Sequence, residues 1–223
     1  MLDAREGIII KTLQKLPKEN VVLVGGYAVN AYVPPRFSID CDLVVLGSLS
    51  GLESVLKEDG FIKVSEGDVS YGGYVRYEME KSKVSFDLLE NSVVDRDTKI
   101  VFEGELFKNH SAERTTVGRS VPTRIRMRIV DPELLFAMKF VSARKQDVRD
   151  MFMLAGGNLN WNLVSGLVSA KCGRELISKR SRSIRRDVQS RNFRDSLHGP
   201  YGRIPEERFE LCRRRLVEFL EVV

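Results

Sequence analysis

The stretch "VVLVGGYAVNAYVPPRFSIDCDLVVL", residues 21–46, contains two short apolar runs, each joined to residues that an ordinary core strand does not carry. The first run, Val21–Val24, is followed by the pair Gly25-Gly26. The second run, residues 40–46, begins with two aspartates one residue apart. β-branched runs of this length predict buried strands, and a Gly-Gly pair predicts a turn, here leading into a short helix over 27–32.

The two aspartates are expected to act together. Residues i and i+2 of a strand face the same side, so Asp40 and Asp42 present their carboxylates together, roughly 7 Å apart. Cys41 takes the opposite face, as a small buried hydrophobe. Two carboxylates this close repel each other unless they are protonated or bridged by cations, and Mg²⁺ or Mn²⁺ suits such oxygen ligands. The ordinary alternative is a pair at a strand end, satisfied by caps or arginines.

A third carboxylate is available in "VSFDLLE", residues 84–90. Asp87 stands inside this apolar strand, where a surface aspartate is not expected, and Glu78 and Glu90 are its less apolar rivals. Three carboxylates can hold two cations about 3.5–4 Å apart, the usual arrangement for in-line phosphoryl or nucleotidyl transfer. The sequence therefore predicts a metal site at Asp40, Asp42 and Asp87.

These motifs together resemble the nucleotidyltransferase superfamily typified by DNA polymerase β. Its signature is an apolar residue, Gly-Gly or Gly-Ser, and then Asp-x-Asp or Asp-x-Glu; here 13 residues separate Gly26 from Asp40. Gly-Gly-x-Ala at 25–28 and Arg-x-Ser-x-Asp-x-Asp at 36–42 look most like the AbiEii-type branch, which contains toxin nucleotidyltransferases. The run "DPELLFAMKFVSARKQDVRDMFML" adds a looser likeness to the same branch.

The resemblance implies a catalytic site that uses Mg²⁺ or Mn²⁺ and moves an NMP from an NTP to an acceptor hydroxyl. Asp40, Asp42 and Asp87 would be the catalytic metal ligands. The expected nucleotide-binding residues are those of the turn, the loop before the second strand, and one helix: Gly25, Gly26, Arg36, Ser38 and Lys139. Asp147 and Asp150 are expected to pair with Lys139 and support it instead of touching the nucleotide.

The predicted fold class is α/β (α+β): a mixed-sheet nucleotidyltransferase core at 1–130, followed by a helical, basic C-terminal domain at 131–223. Runs 74–79 and 84–89 predict a hairpin, and "TRIRMRIV" predicts a half-buried strand with its arginines outward. The stretch before it, to about residue 120, is expected to be rich in loops. Glycines predict helix breaks at 156–158 and 198–202.

Charge is spread unevenly along the chain. The net charge is +5, yet residues 171–215 alone carry 14 basic and 6 acidic side chains, a surplus of +8. Such a surplus predicts a polyanionic partner, with a solvated helical surface as the ordinary alternative. The segment "RSRSIRRDVQSRNFRDSLHGPYGR" could be a docked helix and loop or an arm that orders on RNA.

The acceptor is expected to be an RNA 3′ end, tRNA-like, gripped by the basic half, and the resemblance implies a toxin with an antitoxin partner. Two alternatives stay open: transfer to a protein or small molecule, and a non-catalytic module that binds nucleotide or RNA. No apolar run approaches the roughly 20 residues that span a bilayer. The three cysteines do not form a disulfide or zinc pattern, so a cytoplasmic protein without a membrane segment is predicted.

Overall fold

The computed structural model describes residues 2–69 and 72–223, which form two compact units. The first unit contains the described residues up to Val93 together with Val101–Asp131. The second contains Val94–Ile100 and Pro132–Val223. The chain thus passes from one unit to the other three times, because a seven-residue segment leaves the first unit and returns. A division into domains at residue 130 stays a prediction.

The first unit is built on strands with a few short helices. In chain order, its elements are α1 (Leu2–Lys15), β1 (Val21–Val24), α2 (Gly25–Val29), β2 (Asp40–Val45), α3 (Ser50–Glu58), β3 (Ile62–Val69), β4 (Gly72–Met79), β5 (Val84–Glu90), β6 (Ser92–Val94), β7 (Val101–Glu103), α4 (Gly104–Asn109), β8 (Ser111–Thr116) and β9 (Ile125–Val130).

Among the described residues, seven strands form one mixed sheet in the order β3-β4-β5-β2-β1-β9-β8, and β6 pairs with β7 separately. β2 runs parallel to β5, and β1 runs parallel to β9. The β1–β2, β3–β4, β4–β5 and β8–β9 pairs are antiparallel. This mixed sheet, with helices following it in the chain, confirms the predicted fold class.

The central strands are buried because they carry apolar residues on both faces. All four residues of β1 are buried, and Leu43, Val44 and Val45 continue the core in β2. Strand β9 instead alternates: Ile125, Met127 and Ile129 are buried, and the arginines between them are exposed. This alternation follows the two-residue period of a strand with one face in the core, as predicted.

Two local predictions were wrong. The stretch before residue 120 is not mainly loop, because β6, β7, α4 and β8 lie within it. These elements are short, three to six residues each, so no hydrophobic period has room to develop. The helix break expected at 198–202 lies at its far end, since α9 runs through Gly199 and Pro200 to Tyr201.

The second unit is helical. Its helices are α5 (Pro132–Ser142), α6 (Lys145–Ala155), α7 (Trp161–Lys171), α8 (Arg174–Val188), α9 (Phe193–Tyr201) and α10 (Glu206–Val222). Phe136, Trp161 and Phe219 form an aromatic cluster with ring centroids 5.2–5.4 Å apart. In the segment expected to be either docked or mobile, Ile184, Val188 and Leu197 are buried, so it is docked.

Candidate active site

The start of α2, directly after β1, brings backbone against the second aspartate of β2. This helix begins at Gly25 and ends at Val29, earlier at both ends than the predicted range 27–32. Gly25 has a φ of +65°, a conformation that glycine adopts without steric cost. A Cβ at Gly25 would lie 1.9 Å from Oδ2 of Asp42, so a side chain there would occupy the space of the carboxylate. A Cβ at Gly26 would lie 2.7 Å from Oγ of Ser38 and 3.2 Å from Nη1 of Arg36. The structure therefore places Gly25, Gly26, Arg36, Ser38 and Asp42 together.

The third predicted carboxylate lies beside the first two. Strands β2 and β5 are parallel neighbours, with Asp42 opposite Asp87 and Asp40 opposite Ser85. Register partners on adjacent strands point to the same face, as do residues two apart on one strand. Asp40, Asp42 and Asp87 thus share one face of the sheet. The side chain of Asp87 is 9% exposed, whereas that of Asp40 is 43% exposed.

A cation from the neighbouring strand contacts two of these carboxylates. Arg76 stands opposite Asp87 in the β4–β5 register. Its Nη1 donates to both carboxylate oxygens of Asp87, at 3.3 and 3.2 Å, and its Nη2 donates to Oδ1 of Asp40 at 3.4 Å. Ser85 donates a further hydrogen bond of 2.7 Å to the same Asp40 oxygen. Sequence reasoning did not single out Arg76.

The loop before β2 is held by the side chain of Asn30. Its Nδ2 donates to the carbonyl of Arg36, and its Oδ1 accepts from the Arg36 amide, both at 3.0 Å. The hydroxyl of Tyr27 donates to the carbonyl of Ser38 at 3.1 Å, and burial raises the pKa of Tyr27, so it stays a neutral donor. Arg36 is 6% exposed and donates from Nη1 to the carbonyl of Phe37. The backbone positions of Arg36 and Ser38 are therefore fixed by buried hydrogen bonds.

Lys139 belongs to the second unit, where carboxylates surround its ammonium. Nζ lies 3.0 Å from Oδ1 of Asp147 and 2.6 Å from Oδ2 of Asp150. Asp150 is fully buried and also accepts hydrogen bonds from Gln146 and Tyr201. Asp147 and Asp150 thus support Lys139 as expected, and its contact with nucleotide phosphates stays a prediction.

Cys41, between the two aspartates, faces the core. It is fully buried, and burial together with the charges of Asp42, Asp87 and Asp40 raises the pKa of its thiol well above the ordinary value. A neutral buried thiol is a poor nucleophile, because the thiolate is the reactive form. The chemistry of this face therefore belongs to its carboxylates.

The donor set of the face fits a hard divalent cation, since Asp40, Asp42 and Asp87 offer only carboxylate oxygens. The room that Gly25 leaves for the Asp42 carboxylate is part of this fit. Among the described residues, no three acidic, His or Cys side chains are grouped as a metal site in the present arrangement. Arg76 supplies the positive charge between Asp40 and Asp87 instead, so an ion bound by both would replace its contacts.

Comparison with protein-family models gives no match, and neither does comparison with curated proteins. Among solved structures, a candidate nucleotidyltransferase from H. pylori shares 17% identity over 99% of this chain and 93% of its own, with a TM-score of 0.48. JHP933 from Helicobacter pylori shares 17% over 99% and 89%, with a TM-score of 0.44.

A more distant similarity is to the STING-associated CdnE c-di-GMP synthase from Capnocytophaga granulosa. It shares 9% identity over 99% of this chain and 78% of its own, with a TM-score of 0.25. In the described part of the chain, no helix is long and apolar enough to cross a membrane.

Proposed function

We propose that this chain is a metal-dependent nucleotidyltransferase, which moves an NMP from an NTP to an acceptor hydroxyl. One observation carries the proposal: Asp40, Asp42 and Asp87 share one face of the parallel β2–β5 pair. Gly25, which has no Cβ, leaves room for the Asp42 carboxylate beside that face. Adjacent carboxylates repel one another, and a pair of divalent cations held by such carboxylates is the arrangement that nucleotidyl transfer uses.

Each group has a part in the reaction. Asp40, Asp42 and Asp87 would hold Mg²⁺ or Mn²⁺, which supplies the positive charge that stabilises the transferring phosphoryl group. Arg36 and Ser38, beside Gly26, are the groups proposed to contact the triphosphate. The acceptor oxygen bonds to the α-phosphorus, the α–β phosphoanhydride bond breaks, pyrophosphate leaves with the bonding electrons, and the hydroxyl proton passes to water. Positioning of the reactants and stabilisation of charge would lower the barrier to this reaction, without a covalent enzyme intermediate.

The proposed acceptor is an RNA 3′ end, tRNA-like, and the charge surplus of +8 over residues 171–215 supports it. Membership of the AbiEii-type branch, the toxin role and an antitoxin partner rest on the sequence resemblance. Transfer to a protein or a small molecule uses the same carboxylates and is the alternative outcome for the acceptor.

A non-catalytic module is the second candidate function, and Arg76 favours it. A guanidinium that contacts both Asp87 and Asp40 neutralises the face in the way expected of a purely structural ion pair. In that case the sheet would bind nucleotide or RNA without transferring anything.

A label-transfer assay tests the proposal. The protein is incubated with Mg²⁺ or Mn²⁺, each NTP labelled at the α-phosphate in turn, and total cellular RNA, and the products are separated on a denaturing gel. Asp42→Asn is the test variant. Asp97→Asn is the matched control, because Asp97 is an exposed aspartate outside the carboxylate face.

We expect label in an RNA band with the native protein and with Asp97→Asn, and none with Asp42→Asn. Label on protein would refute the RNA acceptor and keep the carboxylate site. A different result would refute the metal site: no nucleotide is transferred, and the native protein and Asp42→Asn bind Mn²⁺ equally in the presence of NTP. The non-catalytic candidate would then stand.

A further inference from the structure

The second unit contains an open groove of about 800 Å³ along α8, completed by residues of α7 and α10. Four arginines line it: Arg174, Arg182, Arg185 and Arg186. None of the described residues that line it is acidic. The groove thus concentrates part of the charge surplus of residues 171–215 in one concave surface, which raises the local potential for anions.

Three of these arginines can use their charge to bind a ligand. Arg174, Arg182 and Arg186 are exposed, and no ion pair joins any of them to a described carboxylate. Arg182 donates from Nε to the carbonyl of Ser178 in its own helix. Arg185 differs, because its Nη2 donates to the carbonyl of Leu220 and lies 3.6 Å from the carboxylate of Glu221.

The floor of the groove contains an unsatisfied hydroxyl. Ser181 is 8% exposed, and its Oγ has no hydrogen-bond partner among the residues that the structure describes. Its neighbours on the buried side of α8, Ile177 and Ile184, have apolar side chains that offer no hydrogen bond. A buried hydroxyl without a partner costs free energy, which an oxygen atom of a ligand in the groove would recover.

The arginines are spaced for a ligand with several negative charges. Arg174 and Arg186 are about 18 Å apart along the helix axis at about 1.5 Å of rise per residue. A single triphosphate cannot reach both ends, whereas a nucleic-acid strand carries a phosphate at every nucleotide. Oxygen atoms of such a backbone can also accept from the Ser181 hydroxyl. An acidic peptide would match the charge, but its carboxylates are not repeated at a fixed spacing.

We propose that this groove binds the phosphodiester backbone of single-stranded RNA, with Arg182 and Arg186 contacting phosphates and Ser181 donating to a phosphate oxygen. The inference deepens the proposed function, because it assigns the surface that holds the acceptor strand. It rests on that function only for the identity of the strand as acceptor. Binding itself requires neither a metal ion nor an NTP.

Binding of a fluorescein-labelled single-stranded RNA of mixed sequence, measured by anisotropy over a series of salt concentrations, tests the proposal. The test variant is Arg182→Gln/Arg186→Gln. The matched control is Arg213→Gln/Arg214→Gln on α10, which changes the net charge equally, but whose arginines lie near Glu210 and Glu218. Circular dichroism checks that both variants keep the native helix content.

We expect the test variant to bind RNA about tenfold more weakly, with the slope of log K against log salt reduced by about 1.4, or about 0.7 for each lost single-strand phosphate contact. The control should change either quantity far less. An equal loss in both variants would show attraction by net charge alone and overturn the proposal, as would unchanged binding in the test variant.

Ser181→Ala separates a ligand contact from a structural role. If its hydroxyl binds phosphate, RNA affinity falls a few-fold with an unchanged salt slope, because the lost donor is neutral. If polyglutamate displaces the RNA as well as unlabelled RNA does, the groove is a protein site and the proposal is wrong. Asp42→Asn should lose transfer and still bind RNA normally, because the groove does not include the carboxylate face. If the native protein binds RNA through the groove but transfers no nucleotide, the proposed function is refuted and the groove stays assigned.

Discussion

Gly25 combines a left-handed backbone, with φ of +65°, and a position where the Asp42 carboxylate fills the space of a Cβ. Either property alone favours glycine, but the two properties have different consequences. The first affects the stability of the folded chain, whereas the second affects the geometry of the carboxylate face. Gly60 offers a comparison, because its φ is +87° and no atom lies within 4 Å of its hypothetical Cβ.

We expect Gly60→Ala to lower the free energy of unfolding by about 1–2 kcal/mol, the cost of left-handed backbone in a residue with a Cβ. Gly25→Ala should lower it by at least as much, because its Cβ also meets the Asp42 carboxylate. Only Gly25→Ala should abolish nucleotidyl transfer, because it displaces Asp42. Urea denaturation and the label-transfer assay measure the two effects. Equal activity in the two variants would contradict the role assigned to the Asp42 position.

In the proposed metal site, Arg76 would compete with the metal ion for carboxylate oxygens of Asp40 and Asp87. Arg76→Gln is expected to strengthen Mn²⁺ binding without nucleotide by about tenfold, because the ion no longer displaces charge-assisted hydrogen bonds worth about 1.5 kcal/mol. Titration followed by electron paramagnetic resonance of free Mn²⁺ measures this. Arg126→Gln is the control, since Arg126 pairs with Glu113 on β8, outside the carboxylate face. Weaker binding in Arg76→Gln would show that Arg76 positions Asp87 for the metal.

At the scale of elements, the sequence predicted the strands that carry the three carboxylates, because each has an apolar run of sufficient length. It also contained the signal for Arg76. A hairpin with the turn at 80–83 pairs Met79 with Val84, and counting outward from there sets Arg76 opposite Asp87. The parallel pairing of β2 with β5 could not be derived, because no local pattern determines which distant strands become neighbours.

The α5–α6 pair depends on a buried charge cluster. Lys139→Met should lower the free energy of unfolding by about 3–5 kcal/mol, because it leaves Asp150 buried without its cation. Chemical denaturation followed by circular dichroism measures the loss. Lys179→Met, at an exposed position on α8, is the control and should be nearly neutral. If Lys139→Met is as stable as the native protein but no longer binds NTP, the charge cluster is not needed for stability. That result would support the predicted contact of Lys139 with nucleotide phosphates.

In the whole molecule, residues 94–100 leave the first unit for the second, and the chain then returns to the first unit at Val101. The amino-acid composition gives no sign of this excursion. Asp95 holds this segment. Its Oδ1 accepts from the amide and hydroxyl of Thr98, and its Oδ2 accepts from the hydroxyl of Ser142 on α5 at 2.5 Å. The boundary predicted at residue 130 does not include this excursion, because seven residues are too few to give a composition or hydrophobic pattern of their own.

Asp95 should make stability depend on pH. Burial alone would raise its pKa, but hydrogen bonds from Ser142 and Thr98, with Arg144 nearby, outweigh burial and hold the pKa below the ordinary Asp value. The depressed pKa stabilises the fold above the unfolded value of about 3.9, and this contribution is lost as pH falls through the folded pKa. Below about pH 5, the melting temperature should therefore fall less steeply with decreasing pH for Asp95→Asn than for the native protein. Asp97→Asn, exposed in the same turn, should keep the native slope.

The contacts of Arg76 with Asp87 and Asp40 also bear on how the protein is made. Because a side chain of the same sheet already neutralises these carboxylates, the chain can complete its fold without waiting for a divalent ion. For the proposed metal-dependent enzyme, folding and activation would then be separate events. The supply of free cation, and not the rate of folding, would set when the folded protein begins to act.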